Sequence, residues 1–199
     1  MNKIAIIGTG ISALSLAHHL PTLDITFFEK SWRPGGRLST RKHNDLQFDH
    51  GAHFLSPDHG VLGFTEALEK VQAIKKVEAF YTPNYLGQST KEMKSIIIGN
   101  NGIQSIPLNL HKSLHYPTHF STKIEKIERA EKNYYISSDK DQFGPFDMVF
   151  ACIPYEQGVT LLQDHIDFKN YPTPTFNPIW TVMLGFDKRL GTDLQFGYY

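Results

Sequence analysis

Cysteine is nearly absent: Cys152 is the one thiol in 199 residues, which excludes an internal disulfide framework and fits a reducing compartment. It ends an apolar run and reads as a small buried thiol rather than a nucleophile. Net charge is missing too. Twenty basic residues balance twenty acidic ones, with no basic stripe and interleaved aromatics, so nucleic acid is not an expected partner. No apolar run is long enough to span a bilayer, and no membrane partner is expected. The opening apolar segment is too short for a signal peptide and runs straight into a glycine turn, so a cytoplasmic location is expected. Repeats, low-complexity tracts and disordered linkers are also lacking. What is present is an ordinary globular composition, 40% hydrophobic and 20% charged, with length for one large domain or two small interleaved ones.

The strongest pattern opens the chain. Lys3-Ile4-Ala5-Ile6-Ile7 is an unbroken apolar strand candidate. It passes through Gly8-Thr9-Gly10 into a segment with helical spacing at Ile11, Leu14 and Ala17. Gly8 lets the chain turn out of the strand, and Gly10 removes the side chain that would hold a pyrophosphate off the helix N-terminus. Ala13 allows close helix–strand packing. This G-x-G-x-x-A turn gains weight from a second apolar run, Ile25-Thr26-Phe27-Phe28, ending at Glu29, nineteen positions after Gly10. An acid there suits the hydroxyls of an unphosphorylated adenosine ribose, the alternative being an ordinary surface Glu at a strand end.

Glu29 is followed by a basic loop, Lys30-Ser31-Trp32-Arg33-Pro34-Gly35-Gly36-Arg37. Paired glycines admit a close backbone approach, and Arg37 offers a bidentate fork to a phosphate. A plain nicotinamide-binding unit does not call for this loop, so the pattern points to FAD. The stretch Gln47-Phe48-Asp49-His50-Gly51-Ala52-His53-Phe54 has the composition of a chain lying against a ring system, with His53 and Phe54 flanking the ring. Asp49, His50, His53 and His59 lack the paired spacing of a closed metal site, and no metal is expected.

Further along, Ser56-Pro57-Asp58 suggests a helix start, with Val61, Phe64, Leu68 and Val71 at helical spacing. Strands are expected over Lys75–Tyr85 and Lys94–Ile98. The turn Gly99-Asn100-Asn101-Gly102 then leads to a helix carrying Ile103, Ile106, Leu108 and Leu110. Alternation predicts strands over Ser121–Glu128 and Tyr134–Ser137. Phe146–Pro154 reads as a buried strand, followed by a helix through Gln157 and Leu162, and Asn177–Asp187 as a further strand. The expected organisation is an α/β fold. A Rossmann-type FAD/NAD(P)-binding domain occupies 1–76 and 117–166, interleaved with an incomplete β-sheet substrate domain at 77–116 and 167–199.

With these motifs the chain resembles the renalase-like flavoproteins, a branch of the FAD-dependent amine-oxidase superfamily. The resemblance rests on the order of Gly8-Thr9-Gly10-Ile11-Ser12, Glu29-Lys30-Ser31, Gly35-Gly36-Arg37, Asp49–Phe54, Gly99-Asn100-Asn101-Gly102, Ile153-Pro154-Tyr155-Glu156-Gln157 and the Trp180 segment. It implies that Ser12 meets the pyrophosphate, Glu29 the adenosine ribose, Arg37 the phosphates, and backbone groups near Ile124 the adenine edge. It also implies that His53 and Phe54 stand where the family has a Gln-Tyr pair beside the isoalloxazine ring. His adds a titratable group there and Phe deletes a hydroxyl, making His53 a candidate for tuning the flavin. Family members continue further, and motif order equates this chain with roughly the first three fifths of their architecture.

The activity implied is hydride transfer from a small reduced donor, such as a dihydronicotinamide isomer, to flavin, with molecular oxygen as acceptor and hydrogen peroxide as product. No catalytic acid or base is singled out, and no oligomeric state is specified. An amine oxidase or desaturase-like flavoenzyme is the alternative within enzymes. A truncated, non-catalytic nucleotide-binding remnant is the alternative outside them. An NAD-only dehydrogenase is disfavoured by Gly35-Gly36-Arg37.

Overall fold

The computed structural model describes residues 2–57, 64–82, 92–188, 191 and 196–197. The expected helix start at Asp58, with His59 and Val61, and the expected strand end at Tyr85 lie outside the described residues. In chain order the elements are β1 (Lys3–Ile7), α1 (Ile11–His19), β2 (Asp24–Phe28), β3 (Thr40–His43), β4 (Leu46–Asp49), α2 (Phe64–Lys70), β5 (Ile74–Thr82), β6 (Glu92–Gly99), α3 (Ser105–Leu114), β7 (Thr118–His119), β8 (Lys126–Ala130), β9 (Asn133–Ser137), β10 (Gln142–Phe146), β11 (Met148–Ala151), α4 (Tyr155–Leu162) and β12 (Phe196–Gly197). They fall into two compact units, Met1–Arg37 with Leu110–Trp180, and Leu38–Asn109 with Thr181–Tyr199.

The first unit is built on a four-stranded sheet in the order β11-β1-β2-β7, in which β1 pairs in parallel with both β2 and β11. Flanked on both edges, β1 needs apolar side chains on both faces, and Ile4, Ala5 and Ile6 are fully buried. α1 buries Ala13, Leu14 and Ala17. The antiparallel sheet β10-β9-β8 contributes Ile127, Ile136 and Phe146 to a core shared with Ala5, Ile7, Phe28 and Ile124. Removing each large member from water stabilises by about 1.5–3 kcal/mol. From β1 the chain steps to β2 and β7 on one side and later to β11 on the other. The strand order therefore reverses at the carboxyl end of β1, where an open α/β sheet places its ligand crevice.

In the second unit, β5 and β6 form a long antiparallel ribbon from Ile74 opposite Gly99 to Tyr81 opposite Glu92. β3 and β4 form a hairpin pairing Thr40 with Asp49 and His43 with Leu46. A partly buried polar knot ties that hairpin to the start of α3. Thr40 Oγ1 donates to Asp49 Oδ1 at 2.5 Å and accepts from Gln104 N at 3.1 Å, while Asp49 Oδ2 accepts from Ile103 N at 3.0 Å. The amides leading into the helix, which it cannot itself satisfy, are thus capped from distant residues.

Several expectations are corrected. Asn177–Asp187 forms no strand: its apolar run finds no ladder partner among the described residues, and Trp180 is 95% exposed. The strand expected over Ser121–Glu128 begins only at Lys126. The preceding residues instead turn beside the segment that follows β2, with Ser121 N donating to Ser31 O and Thr122 N to Glu29 O, each at 2.9 Å. In the α3 stripe, Leu108 faces outward at 40% exposure while Ile103, Ile106 and Leu110 are buried. Cys152 is half-buried rather than sealed in the core.

Candidate cofactor site

The site begins where β1 meets α1. Gly8 has φ +97°, which an L side chain rarely adopts, and a Cβ there would lie 2.6 Å from the Cys152 carbonyl oxygen and 3.2 Å from Ile153 Cγ2. The fold therefore requires glycine at this position. Gly10 is different. Its backbone is extended, φ −72° and ψ 175°, and a Cβ there would meet nothing within 4 Å. No steric or conformational demand of the described chain explains a glycine at this point. Gly10 is also the N-cap of α1 and supplies no side-chain cap, so the helix presents its first amides, from Ile11 and Ser12 onward, without one. Ser12 is exposed and Ile11 half-buried. An uncapped helix start above an unfilled glycine position suits a phosphate group.

Thr9 ties the surrounding pieces together. It is fully buried, and both of its donors reach one carboxylate oxygen: Thr9 N donates to Glu29 Oε2 at 2.9 Å and Thr9 Oγ1 donates to the same oxygen at 2.6 Å. Glu29 Oε1 accepts from Ser31 N at 2.8 Å. Glu29 as a residue is 7% exposed, and its carboxylate is aimed by these bonds rather than free to sweep through solvent. Thr9 O accepts from Gly35 N at 3.2 Å, and Gly36, at φ +56°, has its Cβ position 3.4 Å from Gly10 Cα. The Gly35-Gly36 loop thus lies against the turn, with Arg37 exposed at its end. Lys30 Nζ donates to Gln157 Oε1 at 3.2 Å, linking the loop to α4.

Ile124 is buried in the core beneath this end of the sheet, and no hydrogen bond among the described residues engages its backbone. The structure therefore gathers Gly8, Gly10, Ile11, Ser12, Glu29, Lys30, Gly36, Arg37 and Ile124 in the first unit. His53, exposed, and Phe54, half-buried, belong to the second unit, in an irregular segment after β4. Within the stretch expected to lie against a ring, Asp49 has a different task, the capping of α3. Thr9 and this role of Asp49 are the site-level features that sequence reasoning missed. A hydroxyl residue between the two glycines, twenty positions before an acid, was the available signal for the first.

Two titrating groups near the sheet are shifted by burial. His111, whose Nε2 lies 2.7 Å from Thr118 Oγ1, is lowered, and the Cys152 thiol is raised, which keeps it protonated and unreactive near neutrality. Among the described residues, no cluster of three or more His, Cys, Asp or Glu is placed to hold a metal ion, and no helix is long and apolar enough to cross a membrane.

Parallel sheet, glycine turn and strand-end acid together define a Rossmann-like α/β fold. The family model described as NAD(P)-binding Rossmann-like domain matches residues 6–65, which contain the turn, Glu29 and the Gly35-Gly36 loop. Among solved structures the chain is similar to a protein assigned as a protoporphyrinogen oxidase from Exiguobacterium sp. 255-15, with 14% identity, 82% of this chain and 62% of that chain covered, and TM-score 0.62. It is also similar to putrescine oxidase bound to putrescine, with 12% identity, 78% and 59% covered, and TM-score 0.60. A third likeness is to an oxidoreductase from Methanosarcina mazei, with 13% identity, 84% and 62% covered, and TM-score 0.61. The chain thus spans about three fifths of the length of these structures.

Proposed function

We propose that the chain binds FAD and belongs to a renalase-like oxidoreductase that oxidises a small reduced donor. The observation that carries this reading is Gly10, a glycine for which the fold supplies no need, set over an uncapped helix N-terminus and beside an oriented acid. The amides of Ile11 and Ser12, with Gly8 and Gly10 allowing close approach, hold the pyrophosphate. Gly36 and Arg37 close on it from the second loop, Arg37 adding charge. Glu29 accepts from the adenosine ribose with Lys30 beside it, and the free backbone of Ile124 meets the adenine edge. His53 and Phe54 belong beside the ring, where His53 tunes it by a hydrogen bond. FAD supplies, when bound, a two-electron acceptor.

The donor is a reduced nicotinamide nucleotide such as a dihydronicotinamide isomer, losing a hydride. Molecular oxygen takes up the two electrons with two protons to give hydrogen peroxide. The likeness to putrescine oxidase favours a second donor class, small amines. The test is the visible spectrum of the purified chain after incubation with FAD and gel filtration, followed by peroxide detection with dihydronicotinamides and amines. A retained flavin band is expected. A chain that emerges colourless after incubation overturns the reading.

A further inference from the structure

We infer that the Thr9 hydroxyl is a positioning group that fixes the Glu29 carboxylate to accept from a single free ribose hydroxyl. This rests on the reading of the site as an adenine-dinucleotide site and deepens it.

Acceptor capacity limits what the carboxylate can take. A carboxylate offers about four lone-pair positions, two on each oxygen. Oε2 of Glu29 receives two donors from Thr9, the backbone N–H at 2.9 Å and the hydroxyl at 2.6 Å, and is filled. Oε1 receives the Ser31 N–H at 2.8 Å, leaving one position. The acid held in this way has room for one further donor. A ribose diol offers two hydroxyls, and only one can bond to this carboxylate without displacing a Thr9 or Ser31 donor. A 2′-phosphate would bring charge of the same sign and no donor at neutral pH.

Thr9 is suited to the holding role because it is fully buried, so its hydroxyl has no water to exchange with, and because its other contacts are fixed. Its N–H shares the same carboxylate oxygen, and its carbonyl accepts from Gly35 N. Losing the hydroxyl frees the Glu29 side chain to turn about its terminal torsion, since the remaining Thr9 N–H and Ser31 N–H bonds hold it more loosely.

The experiment measures binding of ADP, 2′-deoxy-ADP and 3′-deoxy-ADP to the full chain by calorimetry. The native protein is expected to bind ADP about tenfold better than one of the two analogues and within about twofold of the other, the difference of one charge-assisted hydrogen bond. Thr9→Ser keeps this pattern. Thr9→Val, which keeps the shape and deletes the hydroxyl, brings the ratio to about twofold or less, with Thr9→Ala as the smaller variant should valine not fold. Equal discrimination against both analogues by the native chain, or a native ratio retained in Thr9→Val or Thr9→Ala, overturns the inference while leaving the nucleotide site standing. Failure of the native chain to bind ADP overturns both.

Discussion

Gly8-Thr9-Gly10 and Gly99-Asn100-Asn101-Gly102 each carry the chain from a strand toward a helix, but the helices that follow begin differently. α3 starts inside a finished network: Asp49 takes the Ile103 amide, Thr40 takes the Gln104 amide, and Gly102, at φ +81°, is hemmed in by Thr40 and Gln47 side chains. α1 starts with no side-chain cap and with open space at Gly10. Both helices leave the same kind of amides over. One turn satisfies them from within the protein, and the other keeps them available. The difference separates a glycine demanded by the fold from one the fold does not demand, which the proposed function assigns to a ligand.

The largest effects are expected at the glycines the fold demands. Gly8→Ala and Gly102→Ala each place a side chain in a left-handed backbone and against neighbouring atoms, and should cost about 3 kcal/mol or more in denaturant titrations. A loss below about 1 kcal/mol at either position would contradict the packing described. Next comes the cap. Asp49→Ala leaves the Ile103 amide without its acceptor and removes the carboxylate that Thr40 Oγ1 donates to, and should cost about 2 kcal/mol, with no change in ADP affinity beyond that of the folded fraction.

Gly10→Ala sharpens the contrast, because stability should stay within about 0.5 kcal/mol while FAD affinity falls at least tenfold, about 1.4 kcal/mol. Unchanged FAD affinity would mean that the space at Gly10 is not ligand space. The smallest effect lies near the far end of the capped helix. Burial lowers the pKa of His111, so below its ordinary value near 6.5 the unfolded chain binds the proton first. This histidine's contribution to stability is present above pH 6.5 and declines as the pH falls toward the lowered folded value. The stability difference between native protein and His111→Gln should therefore shrink between pH 7.5 and 5.5.

Local periodicity made β1, α1 and β2 readable, because burial on both sides of β1 imposes an apolar run and the turn imposes glycines at fixed spacing. The Glu29 position followed from the same local geometry. The β3–β4 hairpin was not readable: Arg41, Lys42, His43, Leu46 and Gln47 are all exposed, so no alternation marks its faces. At Ile179, Trp180, Val182 and Leu184 the composition favours a strand, yet a strand is a relation between two segments, and none of the described residues pairs there. The Thr9–Glu29 and Asp49–Ile103 bonds join positions 20 and 54 residues apart, and only the closed fold brings them together.

The central place of β1 also has a consequence in time. Ile4 pairs with Met148, and the wall behind Gly8 is the carbonyl of Cys152. Lys3 and Asp147, hydrogen-bonded beside that pairing, are 144 residues apart in the chain. At 5–20 residues per second the ribosome takes on the order of 7–30 s to deliver the second neighbour of the first strand. Through that interval β1 has an open edge of unpaired backbone, and the glycine turn lacks its back wall. The turn that opens at residue 8 is therefore walled only once residue 152 has been made, so it stays structurally incomplete through most of the synthesis of this stretch.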